Sequence, residues 1–83
     1  MTYRLVLDYN FPVKAKKGER RGPNGSLIKA VQFFGADVAE VMADAKNNFN
    51  AMRDAALLVS ATLYDDAAFR AGVYAGEDVT TQI

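Results

Sequence analysis

Between Tyr3 and Phe11 the chain alternates: Tyr3, Leu5, Leu7, Tyr9 and Phe11 are large and apolar or aromatic, while Arg4, Asp8 and Asn10 fall between them. Successive side chains of a strand point to opposite faces, so this period of two specifies a strand with one buried face and one wet face. Val6 is the only apolar residue out of phase. Pro12 has no N–H to give to a ladder, so regular pairing is expected to stop near Phe11. A half-buried strand needs neighbours and a covering layer, and the rest of the chain must supply both.

Residues 14–26 contain three glycines and Pro23, and Asn24-Gly25 is a pair that tolerates positive φ. They read as a connection that is long for a hairpin; loops beyond about 12 residues in a compact domain are usually functional or disordered. Leu27 to Phe34 is apolar and β-branched or aromatic, interrupted by Lys29 and Gln32, and predicts a second strand ending at Gly35 and pairing antiparallel with the first. Asp37-Val38-Ala39-Glu40 has the form of a capping box, with the Asp37 carboxylate accepting from the Glu40 N–H and Glu40 reaching back. After it, Val38, Val41, Met42, Ala45, Phe49, Met52 and Ala56 recur at three- and four-residue steps. That spacing predicts an amphipathic helix of about five turns.

Leu57 to Tyr64 predicts a third strand, with Asp65-Asp66 as a turn signal after it. Phe69, Ala71, Val73 and Ala75 then alternate as a fourth strand would, although Asp65 could instead cap a short helix with Phe69 and Val73 four apart. The strand is preferred because Gly72 and Gly76 would each weaken a helix by about 1 kcal/mol relative to alanine. From Glu77 to Ile83 only Val79 and Ile83 can anchor the chain, so this tail is expected to fray. The expected fold is one α+β domain over 1–83, in the order β-β-α-β-β, with a mostly antiparallel sheet and one amphipathic helix packed on one face.

A chain of 83 residues sits low in the domain range, and at this size only about 60% of the unfolded surface is buried on folding. Small folds add a staple or a partner, and with no cysteine the disulfide staple is absent. Dense packing or a homo-oligomer remains, and a hydrophobic fraction of 51% leans toward an apolar contact surface. No apolar run approaches the roughly 20 residues of a membrane span, and Met1-Thr2-Tyr3-Arg4 does not open a secretory leader. A cytoplasmic chain with no membrane partner is expected.

Catalysis is poorly provided for. Without histidine or cysteine the chain lacks the usual general base near neutral pH and the most nucleophilic side chain. Ser26 and Ser60 have no nucleophile-elbow context and read as a loop hydroxyl and a strand residue. Asp65-Asp66 and Glu77-Asp78 lack EF-hand spacing and read as turn acids. Gly18-x-x-x-Gly22-x-x-Gly25 lacks the Gly-Lys-Ser/Thr ending of a phosphate loop and is followed by a strand pattern. No enzyme activity, no metal and no cofactor are expected.

Charge is the remaining signal. A net charge of zero conceals seven basic and two acidic groups in residues 1–36 against three and eight in 37–83. Within the long connection Lys14, Lys16, Lys17, Arg20 and Arg21 are opposed only by Glu19, and these five are the candidate partner-binding residues. Such a run suits a solvated loop, an acidic protein surface, or nucleic-acid phosphate, with Phe33 or Tyr74 available for stacking in the last case. A pI near 6.1 and the lack of any RRM, KH or helix-turn-helix signature put a larger host protein ahead of nucleic acid. The acidic half of a second copy is a further possible partner.

In its size, absence of cysteine, lack of catalytic residues and charge-separated surface, the chain resembles the small α+β proteins that phages and other mobile elements use as non-catalytic inhibitors of host defence, including anti-CRISPR proteins. That resemblance implies an inhibitor that occludes a host protein's surface. It carries over no functional residue.

Overall fold

The computed structural model describes residues 1–83. The elements run β1 (Tyr3–Lys14), β2 (Ser26–Gly35), α1 (Val38–Met52), β3 (Leu57–Asp65), α2 (Asp66–Arg70) and β4 (Glu77–Asp78), with single 3-10 turns at Pro23–Gly25 and Thr80–Gln82. They form one four-stranded sheet in the order β2-β1-β3-β4, antiparallel throughout, with α1 packed on one face. This is the α+β class that the strand and helix patterns predict.

The alternation in β1 does what its period requires. Leu5, Leu7 and Tyr9 have no exposed surface and lie beneath α1, which contributes Val41 and Ala45 to the same cluster. Tyr3 and Phe11 pack at its margin. The register is continuous from Tyr3↔Gly35 to Phe11↔Leu27 and breaks between Phe11 and Lys14, where Pro12 interrupts the ladder. Strand β1 resumes at Lys14↔Ser26, three residues beyond the predicted stop. On its other side β1 pairs with β3, and a bulge at Asp8/Tyr9 keeps Leu58 and Ala61 both against the core. The buried Tyr9 hydroxyl donates to Asn48 Oδ1 at 2.8 Å, so the one polar atom in this layer is satisfied.

Helix α1 starts where predicted but caps differently. The Asp37 carboxylate accepts from the Ala39 N–H at 2.8 Å, one residue earlier than the capping box would have it, and Glu40 stays exposed. The helix ends at Met52 after 15 residues, one turn short of the expected span. The N–H groups of Ala55 and Ala56 both donate to the Met52 carbonyl, which reverses the chain into β3 while leaving Ala56 in the core.

The segment after β3 corrects the preferred reading of a fourth strand over 69–75. It is the short helix α2. Asp65 accepts from the Ala67 N–H at 3.0 Å and caps it. At the other end the Gly72 N–H donates to the Phe69 carbonyl and the Val73 N–H to that of Ala68, with Gly72 at φ 87°. That is a Schellman motif, in which glycine is the terminator just beyond the helix and not an interior liability.

The fourth strand is only Glu77–Asp78, paired to Leu63 and Thr62. The tail is tied down where fraying is expected. Val79 is buried, its N–H donates to the Ala61 carbonyl at 2.9 Å, and Thr80 Oγ1 accepts from the Ala61 N–H at 2.9 Å. No helix is long and apolar enough to cross a membrane.

Candidate functional site

Opposite α1 the sheet presents Arg4, Val6, Asp8 and Asn10 of β1, with Phe34, Gln32, Ala30 and Ile28 beside them on β2 and Tyr64, Thr62 and Ser60 on β3. Two features cover this face, one at each end.

At the end where β1 begins, α2 folds over the sheet. The Arg4 guanidinium lies 4.0 Å from the Phe69 ring centre and 4.8 Å from that of Phe34. Its Nε donates to Asp66 Oδ1 at 2.7 Å, and Nη1 donates to Gln32 Oε1 at 2.9 Å. Phe69 packs edge-on against Tyr64 and Tyr74. Every group here is engaged in holding α2 to the sheet, which makes Arg4 the lock of this end. The sequence gives no sign of it beyond a cation in the polar phase of β1, because its partner is 62 positions away.

At the other end lies the basic connection, and its backbone is folded. Beyond Lys14 the Ala15 N–H donates to the Gly25 carbonyl at 2.8 Å. Lys16 to Glu19 form a turn closed by the Glu19 N–H on the Lys16 carbonyl and by the Lys16 N–H on Glu19 Oε1. Arg20 to Gly22 then run along the outer edge of β2: the Ile28 N–H donates to the Arg20 carbonyl, the Gly22 N–H donates to the Ser26 carbonyl at 2.7 Å, and Arg21 bridges Leu27. The chain passes close to the sheet at Gly22, where a β-carbon would stand 2.8 Å from Ile28 Cδ1 and 2.9 Å from Asn10 Nδ2 and would push both side-chain ends aside. Pro23 to Gly25 turn the chain into β2, helped by the Ser26 hydroxyl donating to the Pro23 carbonyl.

The five sequence-predicted cations divide into two groups. Arg20 reaches back over the sheet, where Nη1 meets Asp8 Oδ1 at 3.0 Å, and Asp8 Oδ2 also accepts from the Ser60 hydroxyl. Lys14, Lys16, Lys17 and Arg21 are exposed and take no part in any of the three ion pairs of the chain. The fold thus gathers four cations that form no ion pair onto one hydrogen-bonded tip, with Glu19 the single anion among them. The aromatics named for base stacking are elsewhere. Phe33 packs against the core, and Tyr74 stands on Phe69 at the opposite end of the sheet.

Several acidic groups have local work. Asp65 caps α2, Asp66 holds Arg4 and Arg70, and Asp37 caps α1. Asp78 accepts from the Thr80 hydroxyl and N–H, and these bonds hold its carboxyl below the ordinary carboxylate value. No group of three or more acidic side chains converges. A surface depression is lined by Pro12, Arg53, Asp54, Ala55, Ala56 and Leu57, where α1 turns into β3.

Comparison with known proteins returns no match to any family model, curated protein or solved structure.

Proposed function

We propose that the protein is a non-catalytic binding module whose tip, formed by Lys14, Lys16, Lys17, Arg20 and Arg21, docks on an acidic surface of a larger protein and occludes it. One observation carries the reading: four of these cations have no partner within the chain, although the backbone beneath them is held by hydrogen bonds. Ordering like charges close together opposes folding, and an anionic partner relieves that cost. A pre-folded tip also loses little conformational entropy on docking. The resemblance to small inhibitors of host defence supplies the consequence, steric occlusion in the cytoplasm.

Nucleic acid could also neutralise the tip. Its single strands are commonly held by basic grooves that also carry stacking rings. Here the exposed rings and the cations sit at opposite ends of a molecule 38 Å long, which favours the protein partner. Affinity capture from host lysate, with and without nuclease, tests the choice. A partner retained after nuclease and lost when Lys14, Lys16, Lys17 and Arg21 are all replaced by glutamine supports the assignment. Capture that vanishes with nuclease, or that persists in the variant, refutes it.

A further inference from the structure

Strand β2 borders only β1, so its outer edge is open to another chain. The groups facing outward can be identified. The Ile28 N–H and the Ser26 carbonyl bond outward to Arg20 and Gly22, and main-chain groups of an antiparallel strand alternate in direction, so Ala30, Gln32 and Phe34 face the same way. Since Arg20–Gly22 fill the edge over residues 26–28, the unfilled stretch is 29–35. Its central residue is Gln32.

We infer that this edge pairs with the same edge of a second copy, β2 against β2 about a two-fold axis through Gln32, to give one continuous eight-stranded sheet. A stretch that is free on both sides of its own midpoint is self-complementary. Ala30 falls opposite Phe34 of the partner, Gln32 opposite its own copy, and Phe34 opposite Ala30. This register forms about six main-chain hydrogen bonds. A shift toward the tip collides with Arg20–Gly22, and a shift the other way leaves outward groups unpaired.

Side chains agree with the register. Phe34, 52% exposed, lies across from the small Ala30 of the partner on the open face. Beneath the helices Val31 meets the partner's Phe33, and both residues already pack at the margin of the core. Past the end of the pairing the partner's chain turns at Asp37, which arrives beside Arg20 and Arg21 because the position opposite Leu27 is the one Arg21 occupies. Each copy thus brings an acidic corner to the other's basic segment, twice per dimer. The helices do not obstruct. Helix α1 straddles β1 and β2, so the two copies of it stand about two strand spacings, about 10 Å, apart, the interaxial distance at which helices pack side by side.

The edge also lacks the devices that keep solitary edges apart. From Leu27 to Gly35 there is no proline and no bulge, and Lys29 is the single charge. The lone chain exposes 5401 Å², above the about 4,900 Å² expected of a compact monomer of its mass.

Light scattering on the eluting protein, combined with one engineered thiol, tests this inference. The chain has no cysteine, so Gln32→Cys places a single thiol opposite itself at about 5.5 Å between α-carbons, within disulfide reach. The expected result is a wild-type mass of twice 9.1 kDa, quantitative covalent dimer on mild oxidation of Gln32→Cys, and none for Leu57→Cys on the far side of the sheet. Ala30→Pro, which deletes an outward N–H, is expected to yield a monomer with the wild-type circular dichroism spectrum. A wild type that stays monomeric at every concentration, or a dimer cross-linked through Leu57→Cys and not Gln32→Cys, overturns the inference; should Ala30→Pro fail to fold, the two thiol variants decide. Neither thiol variant alters a tip cation, so cross-linking reads the dimer with the proposed capture surface intact.

Discussion

Arg20 Nη1 lies 3.0 Å from Asp8 Oδ1 and binds the tip to the open face of the sheet. This contact separates Arg20 from the other four cations: it orients the tip, while they are free to meet a partner. The pair is exposed, with 61% of the Arg20 side chain in solvent, so its worth to stability is small. Arg20→Gln is expected to change unfolding free energy in urea by less than about 1 kcal/mol. It is also expected to weaken partner capture less than Lys16→Gln and Lys17→Gln together.

The Arg4 lock is a different case, because 14% of the Arg4 and 11% of the Asp66 side chain is exposed. Removing one partner leaves the other charge poorly solvated. Asp66→Asn is expected to cost about 2 kcal/mol in chemical denaturation. Hydrogen exchange should show the amides of α2 opening well before those of β1, since α2 depends on this contact.

Gly72 at φ 87° ends α2. Gly72→Ala is expected to destabilise by about 1 kcal/mol through the left-handed backbone alone, as read by thermal unfolding. Gly72→Asn, which tolerates that conformation better, should lose less.

Burial pushes the Tyr9 hydroxyl above its ordinary value of 10.0. The native state therefore favours the neutral phenol. This contribution is complete below about pH 10 and is lost as pH rises through the native value, where unfolding is favoured because the unfolded chain ionises first. Stability measured across this alkaline range should fall less steeply in Tyr9→Phe. At neutral pH the same variant should be less stable by about 1 kcal/mol, because Asn48 loses its donor.

Strong periodicity made much of this fold readable. The odd residues of β1 and the three- and four-residue steps of α1 each repeat enough times to mark a buried face, and Val41, Ala45 and the β1 triad are where those patterns put them. Short elements were less legible. Gly72 weighs against a helix if it is counted inside one and for a helix if it is the terminator, and only the hydrogen bonds of Val73 and Gly72 distinguish the two. Val79 gave too little signal to reveal a tail anchored by Thr80 on Ala61.

The candidate site was visible as composition but not as geometry. Five cations in residues 14–21 are plain in the sequence. That one of them is taken by Asp8 follows from the path of residues 15–25 over the sheet, a matter of tertiary contact. Long-range pairs such as Arg4 with Asp66 carry no local pattern at all, and without them the end of the sheet opposite the tip reads as a loose run of aromatics.

The role of the tip is tested most directly by the dissociation constant of the captured partner for wild type and for the variant with Lys14, Lys16, Lys17 and Arg21 all changed to glutamine, at low and moderate salt, with folding checked by circular dichroism. Neutralisation is expected to weaken binding by about tenfold or more and to flatten its dependence on salt. Equal affinity of the two folded proteins, with the same salt dependence, would contradict the assignment of the tip as the contact surface.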